Sequence, residues 1–256
     1  MAGCSGDSEE IAGGDHDRTA TPPSVTTDVS TDPNRTPTMT PVGSTGRPTS
    51  GATDTASPTP TPTSVGPDVR IVDSSLQIQE DSFSSTAYIQ GRITNEGDAP
   101  SGSLSLTGRF YDDSDTLLDS TTGSLHYLKP GETWACYLPY LDDASDVAGH
   151  TLDGDYRTDA PRFELENLAV TDTTLNKTEY SASVTGTIEN DLDEEADYLA
   201  SLARFWRDDV VIADGLDNIT EVPPGEDWSF EASYFGYGDR WMEADGHDVI
   251  PELSIY

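Results

Sequence analysis

From residue 67 onward, apolar and polar positions alternate in short runs separated by turns. Ala87, Ile89, Gly91 and Ile93 take every second place, as do Ala182, Val184, Gly186 and Ile188. A period of two sets one face of a strand on a core. Leu104, Leu106, Gly108 and Phe110 repeat the pattern, with Leu199, Ser201, Ala203 and Phe205 as their counterparts. Leu117-Leu118 and Val210-Val211-Ile212 read as further strands, followed by strands carrying Trp134, Cys136, Leu138 and Trp228, Phe230, Ala232. Before each of these last strands, Pro130-Gly131 and Pro224-Gly225 stand at the centre of a four-residue turn. Pro presets φ and Gly accepts a positive φ, which is the type II requirement. Glycine inside a strand marks a bulge or the close approach of another backbone, and that is the expectation for Gly91 and Gly186. Val69 to Ile71 with Leu76 to Ile78 opens the first set. Phe163, Leu165, Leu168 and Val170 open the second, and Ile250 to Ile255 closes it.

The two sets are one sequence used twice. Gly91 falls on Gly186, Ile93 on Ile188, Asn95 on Asn190 and Phe110 on Phe205. After one single-residue gap, Pro130-Gly131-Glu132-Thr133-Trp134 falls on Pro224-Gly225-Glu226-Asp227-Trp228. Self-similarity over a whole domain length identifies a repeated module. The prediction is an all-β chain with two tandem β-sandwich modules at residues 67–160 and 161–256. Each is large enough for a core without disulfides.

The order G-x-I-x-N, F-[YW]-x-D and P-G-E-x-W resembles the FxLYD domain. This is a small Ig-like β-sandwich module of prokaryotic surface lipoproteins, halophilic archaea included. The resemblance covers Pro67 to Asp159 and Pro161 to Tyr256. The family's leading Phe is Gly108 here and Ala203 in the second copy. Its Tyr-Asp is kept as Tyr111-Asp112 and becomes Trp206-Arg207. The resemblance implies an Ig-like fold and carries no catalytic residue.

The first 66 residues have a different composition. At residues 1–6, Ala2-Gly3-Cys4 followed by Ser, Gly and acids resembles a lipobox, which makes Cys4 the candidate lipidation site and the membrane a partner through a lipid anchor. The charged and hydrophobic parts of a signal peptide do not precede it, and a chance Cys near the start is the competing reading. Residues 7–66 read as a disordered stalk: residues 19–66 hold fifteen Thr and nine Pro. Such a segment buries too little apolar surface to offset its ordering entropy. It serves as a spacer, glycosylated or bare.

Charge narrows the partners. The chain carries 48 acidic and 13 basic residues, a formal net charge of -35. From residue 67 the acids are interleaved with the strand pattern, so they belong to folded surfaces. Self-repulsion at that density destabilises a compact state, and molar salt screens it within about 3 Å. The composition resembles that of halophilic proteins, and the absence of a basic stripe argues against nucleic acid.

Chemistry-bearing motifs are sparse. There is no G-x-S-x-G, no H-E-x-x-H and no glycine-rich phosphate loop, so no catalytic residue, metal site or cofactor is expected. Cys136 shares the inward register of Trp134 and Leu138 and reads as a small buried hydrophobe. Asp112 to Asp115 reads as solvated acid rather than a Ca²⁺ loop. Gly149-His150 and Gly246-His247 fall in equivalent turns with a structural role. Asn34, Asn176 and Asn218 open N-glycosylation sequons. The copies diverge after Tyr140 and Tyr234, where the second reads Phe235-Gly-Tyr237-Gly-Asp239-Arg240-Trp241-Met242. Tyr237, Arg240 and Trp241 are the types enriched at interface hot spots, which makes this loop the candidate contact for a surface protein or glycan. The competing reading has these rings covering the module's open end or packing on the first module. Two functions follow: a lipid-anchored surface binding or scaffolding protein on the extracellular face of the membrane, or a cell-envelope hydrolase (or accessory subunit of one) using surface carboxylates.

Overall fold

The computed structural model describes Thr38–Met39 and residues 66–80, 85–160, 165, 167–236 and 240–253. Cys4, Asn34, Phe163, Tyr237 and nearly all of the 7–66 stretch lie outside the described residues. Every regular element described is a strand, apart from 3-10 turns at Ala144–Asp146 and Arg240–Glu243. The strands are β1 (Thr38–Met39), β2 (Val69–Glu80), β3 (Ser85–Asn95), β4 (Leu104–Tyr111), β5 (Leu117–Leu125), β6 (Thr133–Pro139) and β7 (Gly149–Tyr156), then β8 (Leu168–Lys177), β9 (Ala182–Asn190), β10 (Ala196–Arg207), β11 (Val210–Val222), β12 (Asp227–Tyr234) and β13 (Gly246–Glu252).

Strand order is the same in both halves. The order β2-β3-β6 faces β7-β4-β5, and β8-β9-β12 faces β13-β10-β11. Register matches too. Ile93 pairs with Trp134 and Ile188 with Trp228. Phe110 pairs with His150 and Phe205 with His247. The inward alternation builds two cores, one around Ile89, Ile93, Leu106, Phe110 and Trp134, the other around Val184, Ile188, Leu199, Phe205 and Trp228. Cys136 is buried in the first, and burial pushes its thiol up to about 12.

The matched small residues do matched work. Gly131 and Gly225 have φ of 78° and 74°, as the type II turn requires. The buried Asn95 side chain donates to the carbonyls of Ala99 and Leu128; that of Asn190 donates to those of Val222 and Pro223. Each Asn therefore secures the segment leading into its turn. Gly186 faces a bulge, where β8 shifts register between Thr171 and Thr174 as the sequence led one to expect, whereas Gly91 pairs regularly with Ser74 and Cys136; the atoms that approach both glycines most closely are side chain. A Cβ on Gly91 would meet Leu152 Cδ2 at 2.6 Å, and one on Gly186 would meet the Phe230 ring at 2.7 Å. Gly149-His150 and Gly246-His247 open strands β7 and β13 rather than forming turns.

Two features depart from the sequence reading. Thr38–Met39, inside the stretch read as a disordered stalk, forms an edge strand on β7, pairing with Asp155 and Gly154. Met39 offers the tract's largest apolar side chain and is 1% exposed in the first core. The halves also share a sheet. Val210 and Val211 of β11 pair in parallel with Thr133 and Trp134 of β6, giving the continuous order β13-β10-β11-β6-β3-β2. Residues from Thr36 on accordingly form one compact unit.

Candidate functional site

The parallel β6–β11 seam brings together residues that lie far apart in the chain. Val211 points into the first core while its neighbour Ile212 belongs to the second. On the outer face of β10 and β13, Arg204 is fully buried. Its Nη1 and Nη2 donate to Glu132 at 2.6 and 3.2 Å, and its Nε and Nη2 donate to Asp248 at 2.9 and 2.5 Å. The rings of Tyr127 and Trp206 lie 4.2 and 4.8 Å from the guanidinium carbon. Burial raises the cost of Asp248's charge, and Arg204 more than offsets it, so the carboxyl sits below its ordinary range. Asp214 of β11 accepts from the backbone N–H of His126 at 2.6 Å and lies 2.9 Å from its Nδ1. That hydrogen bond raises the pKa of His126. Glu132 and His126 come from the first half, Arg204 and Asp214 from the second. Charge-assisted contacts of this kind fix geometry.

Beside this seam lies a cleft of about 250 Å³. The first half lines it with Ser124, Trp134 and Tyr137, the second with Asp214, Tyr234 and Phe235. Phe235 is 75% exposed. Tyr137 stacks on Tyr88 at 4.4 Å, which fixes its ring. Burial raises the pKa of both Tyr137 and Tyr234, with Arg240 opposing the rise, so both phenols stay protonated at neutral pH. The cleft thus combines aromatic faces, two phenolic hydroxyls and one carboxylate. A second, smaller pocket of about 130 Å³ includes one carboxylate, Asp73. No group of three or more His, Cys, Asp or Glu among the described residues is placed to hold a metal ion.

Of the two readings of the 235–242 loop, the structure favours the buried one for Arg240 and Trp241. Arg240 and Trp241 are 5% and 8% exposed, so they are not a free contact surface. Trp241 packs into the second core and its Nε1 donates to the Thr178 carbonyl at 3.4 Å. Arg240 lies over the Tyr137 ring of the first half at 5.3 Å. Trp241 thus packs on its own module and Arg240 on the first, and a large indole gains most by leaving water. Tyr137, Asp214 and Tyr234 escaped sequence reasoning because only the seam makes them neighbours. Asn176 and Asn218 sit exposed on β8 and β11. Asp112 accepts from the backbone N–H groups of Ser114 and Thr116 within its own hairpin.

No protein-family model matches this sequence, and no curated protein matches it. Among solved structures, a calcium-binding mutant of a β-glucuronidase of Bacteroides uniformis aligns at 13% identity and a TM-score of 0.19. That alignment covers 61% of this chain and 22% of the other, so this chain spans about a fifth of that enzyme's length. The N-terminal CBM22-1-CBM22-2 tandem domain of Paenibacillus barcinonensis Xyn10C aligns at 9% identity and a TM-score of 0.15, covering 75% and 86% of the two chains. At these scores the fold assignment rests on the strand order and register themselves.

Proposed function

We propose that this protein is a cell-surface binding or scaffolding protein, lipid-anchored through Cys4 and adapted to high salt, whose ligand-binding surface is the cleft between its β-sandwich halves. The observation that carries this reading is the cleft's lining: an exposed phenyl ring, two phenols and one carboxylate, contributed by both halves across a seam held by Arg204. Aromatic faces bordered by a few polar groups suit the recognition of a glycan or of an aromatic-rich protein surface. A hydrolase acting through a carboxylate pair would place two acids in one pocket. Each of the two pockets described carries one, which favours binding over hydrolysis. The 7–66 stretch would serve as the spacer between lipid and cleft.

The test is capture of native surface complexes by the full chain in high salt. Wild type should retain a specific partner, and Phe235→Ala should lose it while keeping the same melting temperature. Enzymatic removal of glycans from the extract separates a glycan ligand from a protein one. Equal capture by wild type and Phe235→Ala sinks the cleft as the binding surface. With its native upstream signal, the protein should partition into detergent, and Cys4→Ser should release it; an unchanged membrane fraction removes the anchor.

A further inference from the structure

A second pocket, which shares no lining residue with the cleft, has the opposite electrostatic character. It lies against the outer face of β2, β3 and β6, where Ser75, Gln90 and Arg92 point away from the first core. Arg207, at the end of β10, and Arg240 close it from the second half. In a chain with 48 acidic and 13 basic residues, three arginines and one carboxylate border this single opening of about 130 Å³.

Arg240 is the unusual member. Its side chain is 6% exposed, and its Nε and Nη2 have no hydrogen-bond partner among the described residues. Its Nη1 lies 3.8 Å from Glu243, a carboxylate already paired with Arg207. A buried guanidinium with open donors is costly unless acceptors are supplied. Nε and Nη2 lie along one edge of the planar group and point the same way, the geometry that two oxygens of a single oxyanion satisfy together. A halide also accepts from this edge, but as one sphere at longer distances, so a two-oxygen group is the better-matched partner. The Ser75 oxygen accepts from the Gln77 amide at 3.1 Å, which leaves its hydroxyl hydrogen for another acceptor. The volume exceeds that of a single water, about 30 Å³ in the liquid, several-fold, so a tetrahedral or carboxylate group fits.

We propose that this pocket binds a small oxyanion, with Arg240 as the buried bidentate anchor and Arg92 and Arg207 at the rim. The ligand chemistry is a compact group with at least two charged oxygens: sulfate, inorganic phosphate or the carboxylate of a small acid. The surrounding acidic surface repels anions over long range. Molar salt removes that repulsion, since the Debye length falls to about 3 Å, while short hydrogen bonds inside the pocket persist. The site is therefore matched to the salt in which the rest of the surface is stable. The proposal stands apart from the cleft and survives if the cleft binds nothing.

Equilibrium dialysis of the full chain against labelled sulfate, inorganic phosphate and acetate, each in molar potassium chloride, tests it. The excess chloride removes non-specific pairing. Wild type should retain one equivalent of at least one of the three anions. R240Q should bind it about tenfold or more weakly, the loss expected for two hydrogen bonds to a charged group. R92Q should bind it a few-fold more weakly, and R109Q, on β4 and paired with Asp153, should match wild type. If R240Q loses its near-UV circular dichroism, the exposed R92Q decides alone, and unchanged binding by R92Q then overturns the proposal. Retention of none of the three anions by wild type, or equal retention by a folded R240Q, overturns it as well.

Discussion

Glu132 and Glu226 occupy matched places in the repeat, each closing a Pro-Gly turn. The same substitution at both sites should nonetheless have very different effects. Glu132 is 18% exposed at its side chain and accepts two hydrogen bonds from the fully buried guanidinium of Arg204. Glu226 is exposed. Glu132→Gln preserves shape and still accepts the Lys129 N–H, so backbone and packing effects largely cancel. What is lost is one of two counter-charges on a buried arginine. Breaking a buried pair outright costs about 3–5 kcal/mol. Asp248 stays in place with Nε and Nη2 bonded to it, which lowers the expectation to about 2–3 kcal/mol. At this chain length that is about 5–10 °C in melting temperature. Glu226→Gln should fall within about 0.5 kcal/mol of wild type. Both are to be measured by chemical denaturation of the full chain in molar KCl, where surface pairs are screened and buried ones are screened much less. A double-mutant cycle with Arg204→Met should return a coupling of about 1–3 kcal/mol for Glu132 and near zero for Glu226. Equal effects at the two glutamates, or a Glu132 effect that vanishes in molar salt, would refute the reading of this contact as a buried clamp.

Three further outcomes follow from the same geometry. His126 has its pKa raised chiefly by its hydrogen bond to Asp214. Its contribution is therefore full below the ordinary value of 6.5 and is lost as pH rises through the raised one. The stability difference between wild type and His126→Gln should shrink between about pH 6 and pH 9; a difference that grows with pH contradicts the assignment. A Cβ on Gly215 would lie 2.4 Å from the backbone oxygen of Ser233, whereas one on Gly91 would meet the flexible ends of Leu152 and Cys136. Gly215→Ala should thus cost more than Gly91→Ala, which is expected at about 1–3 kcal/mol, and the reverse order in denaturation midpoints would show that the backbone yields more easily than the core. Finally, melting temperature should climb steeply from low to molar KCl as repulsion among the surface acids is screened; a flat response would mean local pairing or a specific bound cation.

Sequence alone determined what depends on neighbours along the chain. Period-two alternation, the Pro-Gly turns and the Phe110/Phe205 and Trp134/Trp228 matches were legible because a strand's inward face is written every second residue and a positive φ calls for glycine. Even Asn95 and Asn190 stood out as matched, although only the structure showed them holding the segments before the turns. Tertiary structure decided everything that depends on the unpaired edges of β6 and β11 meeting. Those edges look alike in the two copies, and nothing local says which will find a partner. Their pairing is why Glu132 holds a buried arginine while Glu226 faces water, and why Tyr137 and Phe235 border one cleft. It also lays Arg240 over Tyr137 of the first half, while Trp241, marked with it as a contact residue, is buried in its own module's core. A residue's type is local information; its exposure is set by whichever distant strand the fold brings against it.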